Sequence, residues 1–345
     1  MTTEEEVNKR KRPVIVIDGL NCFIRHFMVN EAVSGYSDPI GGVVGFLRFL
    51  DFMLARFAPG KVVVVWENGG ASPRRRHICP TYKESSGKFL KNIKDSAAAD
   101  KSTKGMLKGD TENKVKQLSL LYKLLKKTPV HQIFIKDTEC DDIIGYLIKY
   151  EFARENRLKL IISSDKDFYQ LLGDPDIKIY DPARKVTVDE NYVLEKFGIT
   201  PNNFCLARTM QGDPSDNIEG VPGIGFKTIV KRFQGFADAS VDLTIDQVLD
   251  QCRTLTEGVK KPSKGLQTIL QCESIMRRNW KLMYLTSSNL SASQIEKVQG
   301  TLGEQTGVGA FDRLGLIKEV AKAGMNISFD FDRFSSNIRQ CLIFE

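Results

Sequence analysis

Four short runs of valine and isoleucine, separated by helix-like segments, constrain the fold of this chain more than any other feature. The runs are Val14–Ile17, Val62–Trp66, His131–Ile135 and Lys159–Ile162. The segments with the apolar spacing of helices are Phe46–Phe57, Val115–Lys126 and Asp141–Phe152. Short continuous apolar runs are typical of buried strands, and their alternation with helices favours a mostly parallel sheet. The pattern therefore predicts an α/β domain with helices on both faces of the sheet.

Acidic residues follow each of these runs within a few positions. They are Asp18, Glu67, Glu139, Asp141, Asp142, Asp165 and Asp167. Because the carboxyl ends of parallel strands share one edge of a sheet, these carboxylates are expected to meet there. Taken singly, a residue such as Asp165 is better explained as the cap of the helix that follows it. Taken together, they predict an acidic site.

The donor atoms of this acidic site point to hard divalent cations. Clustered negative charges repel one another unless protons or cations share the site. The chain has three histidines and seven scattered cysteines, so neither a zinc site nor a disulfide framework is indicated. Carboxylate oxygens favour Mg²⁺ or Mn²⁺. Two such ions close together are a common device for hydrolysing phosphodiesters.

A second motif, GDPSDN, directly precedes the glycine-rich turn GVPGIG at 220–225. Its two aspartates, Asp213 and Asp216, can extend the acidic site. Glycine allows a backbone to approach a phosphate closely, so the turn and the next helix can present N–H groups to nucleic acid. The alternative is an ordinary helical hairpin with a stray acidic pair.

The positive charge is concentrated in one segment. The net charge is +7, and eleven lysines stand against four acidic residues between Lys88 and Lys127. Such a segment suits a polyanion, or is a solvated helix face. Residues 84–112 lack apolar periodicity, which is typical of a functional or mobile insertion. No apolar run approaches the roughly 18 residues that span a bilayer, and the charged N-terminus does not resemble a signal peptide. We therefore expect a cytoplasmic protein.

Together the motifs resemble the flap-endonuclease and 5′–3′ exonuclease family, particularly its bacteriophage and bacterial members. The string GDPSDNIEGVPGIGFKT is similar to the family signature, in which Gly-Asp-x-x-Asp-Asn precedes a helix–three-turn–helix hairpin. ECDDIIGYL resembles its Glu-x-Asp-Asp helix start, and SSDKDFYQLL its Ser-x-Asp-x-Asp-Phe-x-Gln-Leu segment. Asp18 with Arg25 matches the first motif, and Tyr82 with Lys83 resembles the Tyr-Lys motif. The resemblance spans roughly residues 13 to 290 in the same order.

The resemblance implies a set of site residues. The metal ligands, direct or through water, would be Asp18, Glu67, Glu139, Asp141, Asp142, Asp165, Asp167, Asp213 and Asp216. They would hold two Mg²⁺ or Mn²⁺ ions, with a K⁺ ion at the hairpin. Lys83 and Arg25 would contact the scissile phosphate. The other nucleic-acid contacts would be Arg74, Arg75, Tyr82, Lys88, Gly220, Val221, Gly223, Ile224, Gly225, Lys227 and Thr228.

The chain departs from the family pattern at four places. Glu67 stands where the family usually has aspartate, and its longer side chain is expected to reach a metal as well. The arginine that follows corresponds to Arg74 or Arg75. Lys88 is the candidate for an arginine that often follows the tyrosine, and Ile24 stands where an aromatic residue is common.

The expected organisation has three parts. They are a flexible N-terminus at 1–12, an α/β nuclease domain at 13–190 with a helical arch at 83–115, and a helical DNA-binding region at 191–345 with its hairpin at 213–235. The resemblance implies a PIN-like 5′ nuclease fold with no polymerase domain.

The implied activity is that of a monomeric enzyme that cuts branched or nicked duplex DNA and RNA/DNA hybrids. It would hydrolyse phosphodiesters near junctions between single strand and duplex, removing RNA primers or 5′ flaps during replication. Two rival interpretations stand beside it: a non-catalytic DNA-binding protein of the same fold, and a PIN-like ribonuclease.

The C-terminal tail carries a set of apolar side chains. They are Phe329, Phe331, Phe334, Ile338, Leu342 and Phe344. These side chains suit docking on a sliding clamp or a single-strand-binding protein, or packing against the domain core, and packing is favoured.

Overall fold

A six-stranded sheet forms the centre of the chain. The structure is a computed structural model that describes residues 11–68, 72–84, 110–304, 311–325 and 329–343. Its strands are β1 Val14–Asp18, β2 Lys61–Asn68, β3 His131–Lys136, β4 Lys159–Ile162, β5 Ile177–Asp181 and β6 Val186–Val188. The strand order is β3-β2-β1-β4-β5-β6. All pairs are parallel except β5 with β6, so the prediction of a mostly parallel sheet is confirmed.

Helices surround the sheet. They are α1 Gly19–Val29, α2 Gly41–Phe57, α3 Pro73–Ile78, α4 Asp110–Leu125, α5 Cys140–Tyr146, α6 Glu190–Phe197, α7 Pro201–Gln211, α8 Phe226–Arg232, α9 Ile245–Thr256, α10 Lys264–Gln271, α11 Glu273–Met283, α12 Ala292–Glu304, α13 Arg313–Lys322 and α14 Phe331–Leu342. A π-helical turn extends α5 at Leu147–Glu151, and short 3₁₀ helices lie at Lys166–Leu171, Gln234–Ala237 and Ser287–Asn289. None of the described helices is long and apolar enough to cross a membrane.

The sheet separates two apolar cores, which explains why its central strands are apolar throughout. In β1, Val14 and Val16 belong to the core that contains Ile143 of α5. Ile15 and Ile17 belong to the opposite core, with Leu47 of α2. A strand covered on both faces needs an apolar residue at every position, and β1 has one at each of these four.

Two features of the fold differ from the sequence prediction. The strands β5 and β6 were not predicted, because β5 carries Lys178 among its apolar residues and β6 has only three residues at the sheet edge. The segment predicted as one helix at 141–152 is an α-helix followed by the π turn. Most of the predicted flexible N-terminus at 1–12 and of the predicted arch at 83–115 lies outside the described residues.

The C-terminal helix α14 packs on α2, as the favoured interpretation of the tail predicted. Phe334 and Ile338 are fully buried in the second core. Asp51 of α2, which is 2% exposed, accepts hydrogen bonds from Arg333 (2.8 Å) and Asn337 (2.7 Å). The other described apolar side chains of the tail also belong to this core or pack against it. Phe344 lies outside the described residues.

Candidate active site

Asp18 ends β1 at the carboxyl edge of the sheet and caps α1. Its carboxylate accepts hydrogen bonds from the Asn21 amide (3.1 Å) and the Ser163 hydroxyl (3.2 Å). The helix starts at once because residue 19 is glycine: a Cβ there would lie 2.5 Å from the Trp66 ring. Burial raises the pKa of Asp18 to about 6, and the negative charge of Glu67 adds to the rise. The edge thus holds a carboxylate that resists ionisation.

Glu139, at the start of α5, is the best-satisfied carboxylate of the site. It is 1% exposed and accepts hydrogen bonds from the Ser72 amide (3.0 Å), the Tyr82 hydroxyl (3.0 Å) and Lys83 Nζ (2.8 Å). Burial opposes its charge, but the charges of Arg75 and Lys83 outweigh burial and hold its pKa below the usual value. Glu139 is therefore a fixed negative charge that orients the lysine.

The two aspartates that follow Glu139 differ sharply in their surroundings. Burial, followed by the charge of Asp165, raises the pKa of Asp141 well above its ordinary value. Asp142 instead forms a two-pronged pair with Arg75, at 2.5 and 3.0 Å, and also accepts from Asn289 at 2.7 Å. Both oxygens of Asp142 are therefore already bonded, which leaves Asp141 as the available ligand of the pair.

The two candidate arginines of α3 both attach that helix to α11. Arg75 is 2% exposed and donates to the carbonyl of Leu282 (2.8 Å) as well as to Asp142. Arg74 donates to the carbonyl of Lys281 at 3.0 and 3.1 Å. In this structure Arg75 has no surface to offer to nucleic acid, because its guanidinium is enclosed by these partners.

Asp165 and Asp167 follow β4 and differ in their partners. Asp165 caps the 3₁₀ helix by accepting from the Asp167 amide (2.8 Å), so the capping interpretation and the clustering interpretation both apply. Burial, together with the charges of Asp216 and Asp18, raises the pKa of Asp165. Burial and the charge of Asp165 raise the pKa of Asp167 to about 6, although Asp167 is paired with Arg208 (3.1 Å).

Arg208 of α7 is a site residue that the sequence prediction missed. Its guanidinium is 8% exposed and contacts the carboxylates of both Asp167 and Asp213. Burial alone would raise the pKa of Asp213, but the charge of Arg208 outweighs it and lowers that pKa. The available signal was its position on a helix five residues before Asp213, and nothing local indicates that it also reaches Asp167.

The Thr81–Lys83 turn brings a lysine to the acidic edge in an unusual backbone conformation. Lys83 has φ +55°, a left-handed value that costs a non-glycine residue roughly 1 kcal/mol. Its amide donates to the Asp216 carbonyl (2.8 Å), and the Tyr82 hydroxyl contacts the Asp216 carboxylate (3.2 Å). Tyr82 is 4% exposed, so its ring is packed in the protein and only its hydroxyl faces the carboxylates.

Burial and the nearest opposite charge shift the pKa values of Lys83 and Asp216 in opposite directions. Burial disfavours the ammonium of Lys83, but the charges of Glu139 and Asp141 outweigh it and raise its pKa. Burial raises the pKa of Asp216 to about 6 in spite of the nearby Lys83. Lys83 is therefore charged at neutral pH and lies among groups that hold it in place.

Arg25 lies beside the acidic edge and is held by Ser164. Its guanidinium donates to the Ser164 hydroxyl (3.4 Å), and that hydroxyl donates to Asp181 (2.7 Å). The contact aligns Arg25 with the segment that follows β4.

The hairpin offers backbone groups more than side chains. Gly212 and Gly220 allow two backbones to touch, since a Cβ on Gly220 would lie 2.1 Å from the Gln211 carbonyl. Val221 and Ile224 are buried, so their side chains face the core. Gly223 has φ +72° and open space around its Cα.

Exposed donors remain at the tip of this hairpin. Within the described parts of the chain, the amides of Gly223 and Gly225 donate no hydrogen bond to the protein. Lys227 on α8 is exposed and Thr228 is half-buried. Lys88 lies outside the described residues.

The carboxylates of the acidic edge are ligands that hard divalent cations prefer, although they do not converge tightly on one point. Among the described residues, no three acidic, histidine or cysteine side chains converge as closely as the ligands of a bound ion. Arg75, Arg208 and Lys83 neutralise their partners, whereas Asp141 and Asp165 make no ion pair in the described chain. Burial is the main cause of the raised pKa values of Asp141 and Asp165, and neighbouring carboxylates add to the rise: Asp165 for Asp141, and Asp216 and Asp18 for Asp165. A bound cation would relieve the repulsion among these carboxylates.

The parallel sheet, with carboxylates at the carboxyl ends of its strands, defines an α/β protein whose ligand site lies at that edge. The family model described as 5′-3′ exonuclease, N-terminal resolvase-like domain, matches residues 13–198. The chain therefore belongs to the 5′–3′ exonuclease family.

Relatives and solved structures agree with this assignment. The chain is 28% identical over 228 residues to the 5′-3′ exonuclease of Buchnera aphidicola subsp. Schizaphis graminum, covering 65% of this chain and 71% of the relative. It is 28% identical over 264 residues to DNA polymerase I of Rhizobium leguminosarum, covering 76% of this chain and 23% of the polymerase. The flap endonuclease of bacteriophage T5, solved with DNA and metal ions, has a TM-score of 0.66 at 19% identity over 86% of this chain and all of that one. This last likeness shows the fold.

Proposed function

We propose that the chain is a structure-specific 5′ nuclease that hydrolyses phosphodiesters near junctions between single strand and duplex, releasing 5′ flaps or RNA primers. The observation that carries the proposal is the acidic edge, where strand ends and the GDPSDN loop bring carboxylates together beside Lys83. The family membership supports the reaction class. The T5 enzyme, described with DNA and metal ions, supports the substrate and the need for divalent cations.

Asp18, Asp141 and Asp165 are the residues best placed to hold divalent ions. All three have raised pKa values caused first by burial. The surrounding acidic residues that would bind the ions, directly or through water, are Glu67, Glu139, Asp167, Asp213 and Asp216. Asp142 would act through water, because Arg75 and Asn289 already bond both of its oxygens. When bound, Mg²⁺ or Mn²⁺ supplies an activated water and stabilises the charge on the phosphate.

The chain's own cations act on the same phosphate. Lys83 is held by Glu139 at 2.8 Å. Its ammonium would stabilise the negative charge that develops on the scissile phosphate. The guanidinium of Arg25, which donates to the Ser164 hydroxyl, would be a second cation near this phosphate. Preorganised charge of this kind costs no rearrangement during the reaction, which is why it lowers the barrier.

The hairpin grips the duplex away from the cut. The amides of Gly223 and Gly225 donate no hydrogen bond to the residues that the structure describes, so together with the exposed Lys227 they suit a backbone phosphate. A K⁺ ion at the same turn would add to that contact. In this proposal the α/β domain at 13–190 cuts, and the helical region at 191–345 binds DNA as part of a monomer.

The test is a comparison of a labelled 5′-flap duplex with single-stranded RNA, in Mg²⁺ and in EDTA. We expect the flap to be cut in Mg²⁺ only, with products that map to the junction. Cleavage of the RNA alone would support a PIN-like ribonuclease instead. Tight binding of the flap without any cleavage would support a non-catalytic DNA-binding protein.

A further inference from the structure

The loop that carries the GDPSDN motif holds the lysine-bearing turn through two neighbouring residues. The Asn217 side-chain amide donates to the Thr81 carbonyl at 2.8 Å. The Asp216 carbonyl accepts from the Lys83 amide, also at 2.8 Å. Two consecutive residues of the loop thus bond to both ends of the Thr81–Lys83 turn.

These two bonds secure a backbone that the turn would not favour alone. Lys83 has φ +55°, and the third position of a turn with positive φ is normally glycine or asparagine. Asn217 itself has φ +58°, which asparagine tolerates better than most residues do. The strained residue is therefore the lysine, and the asparagine supplies a bond that keeps it strained.

The consequence for the site is a fixed direction for the Lys83 side chain. The Thr81 carbonyl also accepts from the Glu84 amide (3.1 Å), so the bond from Asn217 closes on the carbonyl that defines the turn. At the other end, Lys83 Nζ lies 2.8 Å from Glu139. The backbone and the ammonium are each held, and a released backbone would let the ammonium leave the acidic edge.

Packing around the contact does not replace the hydrogen bond. A cavity of about 360 Å³ borders it, lined by Thr81, Asn217 and Arg278 among others. Tyr82, by contrast, packs with Cys79 and Ile218 in a small apolar cluster. Loss of the Asn217 amide would therefore leave the turn attached by Tyr82 and by the bond from the Lys83 amide to the Asp216 carbonyl, and would loosen the turn at Thr81.

We infer that Asn217 is a positioning residue, which holds Lys83 at the acidic edge through the Thr81 carbonyl. The inference rests on the proposed function, because it takes Lys83 as the cation at the scissile phosphate. Asn217 would also connect cleavage at the acidic edge with duplex binding, because its loop leads directly into the proposed duplex-binding hairpin. Occupation of the hairpin would then steady the lysine.

The test uses Asn217→Gly, which keeps the positive φ and removes only the side-chain donor. We expect single-turnover cleavage of a 5′-flap duplex in Mg²⁺ to fall about tenfold, the equivalent of one lost hydrogen bond. The dissociation constant in Ca²⁺ should stay within about twofold, because the hairpin contacts are untouched. Ser37→Gly is the matched control: Ser37 is exposed, has φ +63° and lies outside the site, so cleavage should be unchanged.

A double-mutant cycle shows whether the effect passes through the lysine. In a Lys83→Ala background, Asn217→Gly should cause no further slowing. Equal slowing in both backgrounds would overturn the inference, as would wild-type cleavage by Asn217→Gly when Lys83→Ala is slow. Wild-type cleavage by Lys83→Ala itself would overturn the proposed role of the lysine, and the inference with it.

Discussion

Replacing Asp18 by asparagine is expected to stabilise the metal-free protein at neutral pH while abolishing cleavage. Burial, aided by Glu67, raises the pKa of Asp18 from its ordinary 3.8 to about 6. Because the folded-state pKa is raised, the stabilising contribution of the protonated carboxyl is complete below pH 3.8 and is lost as pH rises through 6. At neutral pH the ionised carboxylate therefore weakens the fold.

The magnitude follows from that change in pKa. A rise from 3.8 to about 6 corresponds to about 3 kcal/mol of lost stability above pH 7, and to roughly half of that near pH 5. The carboxamide keeps an acceptor for either the Asn21 amide or the Ser163 hydroxyl, and loses the other at a cost of about 1 kcal/mol. The net expected gain is about 2 kcal/mol at neutral pH, and about 0.5 kcal/mol near pH 5.

The assay is urea denaturation in EDTA, near pH 7.5 and near pH 5. Asp213→Asn is the control of opposite sign, because Arg208 lowers the pKa of Asp213 and the substitution removes a favourable pair. It should reduce the free energy of unfolding at neutral pH. An Asp18→Asn protein that is no more stable than wild type near pH 7.5, or equally stabilised at both pH values, would refute the electrostatic reasoning.

Three further predictions concern binding and catalysis. Lys83→Ala should slow single-turnover cleavage about a hundredfold and leave the dissociation constant in Ca²⁺ nearly unchanged, since its cation acts on the transition state; weaker binding at an unchanged rate would contradict this. Gly223→Val should weaken duplex binding, because a branched side chain at φ +72° strains the hairpin and blocks its amides. The control is Gly258→Val, at φ +67° in the loop after α9, which should lose comparable stability without loss of binding. Equal losses of binding by the two variants would contradict this prediction. Cleavage should fall as pH drops through about 6, because Asp18, Asp167 and Asp216 gain protons there and lose affinity for cations; a flat rate profile from about pH 5 to 8 would contradict this.

The strands that define the site were predictable because their physics is local. A strand buried on both faces must be apolar along its covered length, and β1 meets that condition from Val14 to Ile17 and β4 from Leu160 to Ile162. The acidic edge then follows from the rule that parallel strands end together. β5 and β6 were missed because a lysine interrupts one and the other is too short to show a period.

The partners of the carboxylates were not predictable, because they come from distant segments. Arg75 and Asp142 are 67 residues apart, and Arg208 and Asp167 are 41 apart. Nothing near Asp142 in the sequence indicates that a buried arginine occupies both of its oxygens. Sequence reasoning located the acidic edge, and only the fold shows which of its members are paired.

The most direct test of the account is cleavage and binding by Asp165→Asn, compared with Asp137→Asn. Asp165 lies within the acidic edge, whereas Asp137 is a nearby exposed aspartate whose φ of +61° asparagine also accepts. With a 5′-flap duplex in Mg²⁺, we expect Asp165→Asn to lose cleavage while its dissociation constant in Ca²⁺ is unchanged, and Asp137→Asn to match wild type in both. Normal cleavage by Asp165→Asn, or full wild-type activity after exhaustive chelation, would contradict the claim that carboxylate-bound divalent ions at this edge perform the hydrolysis.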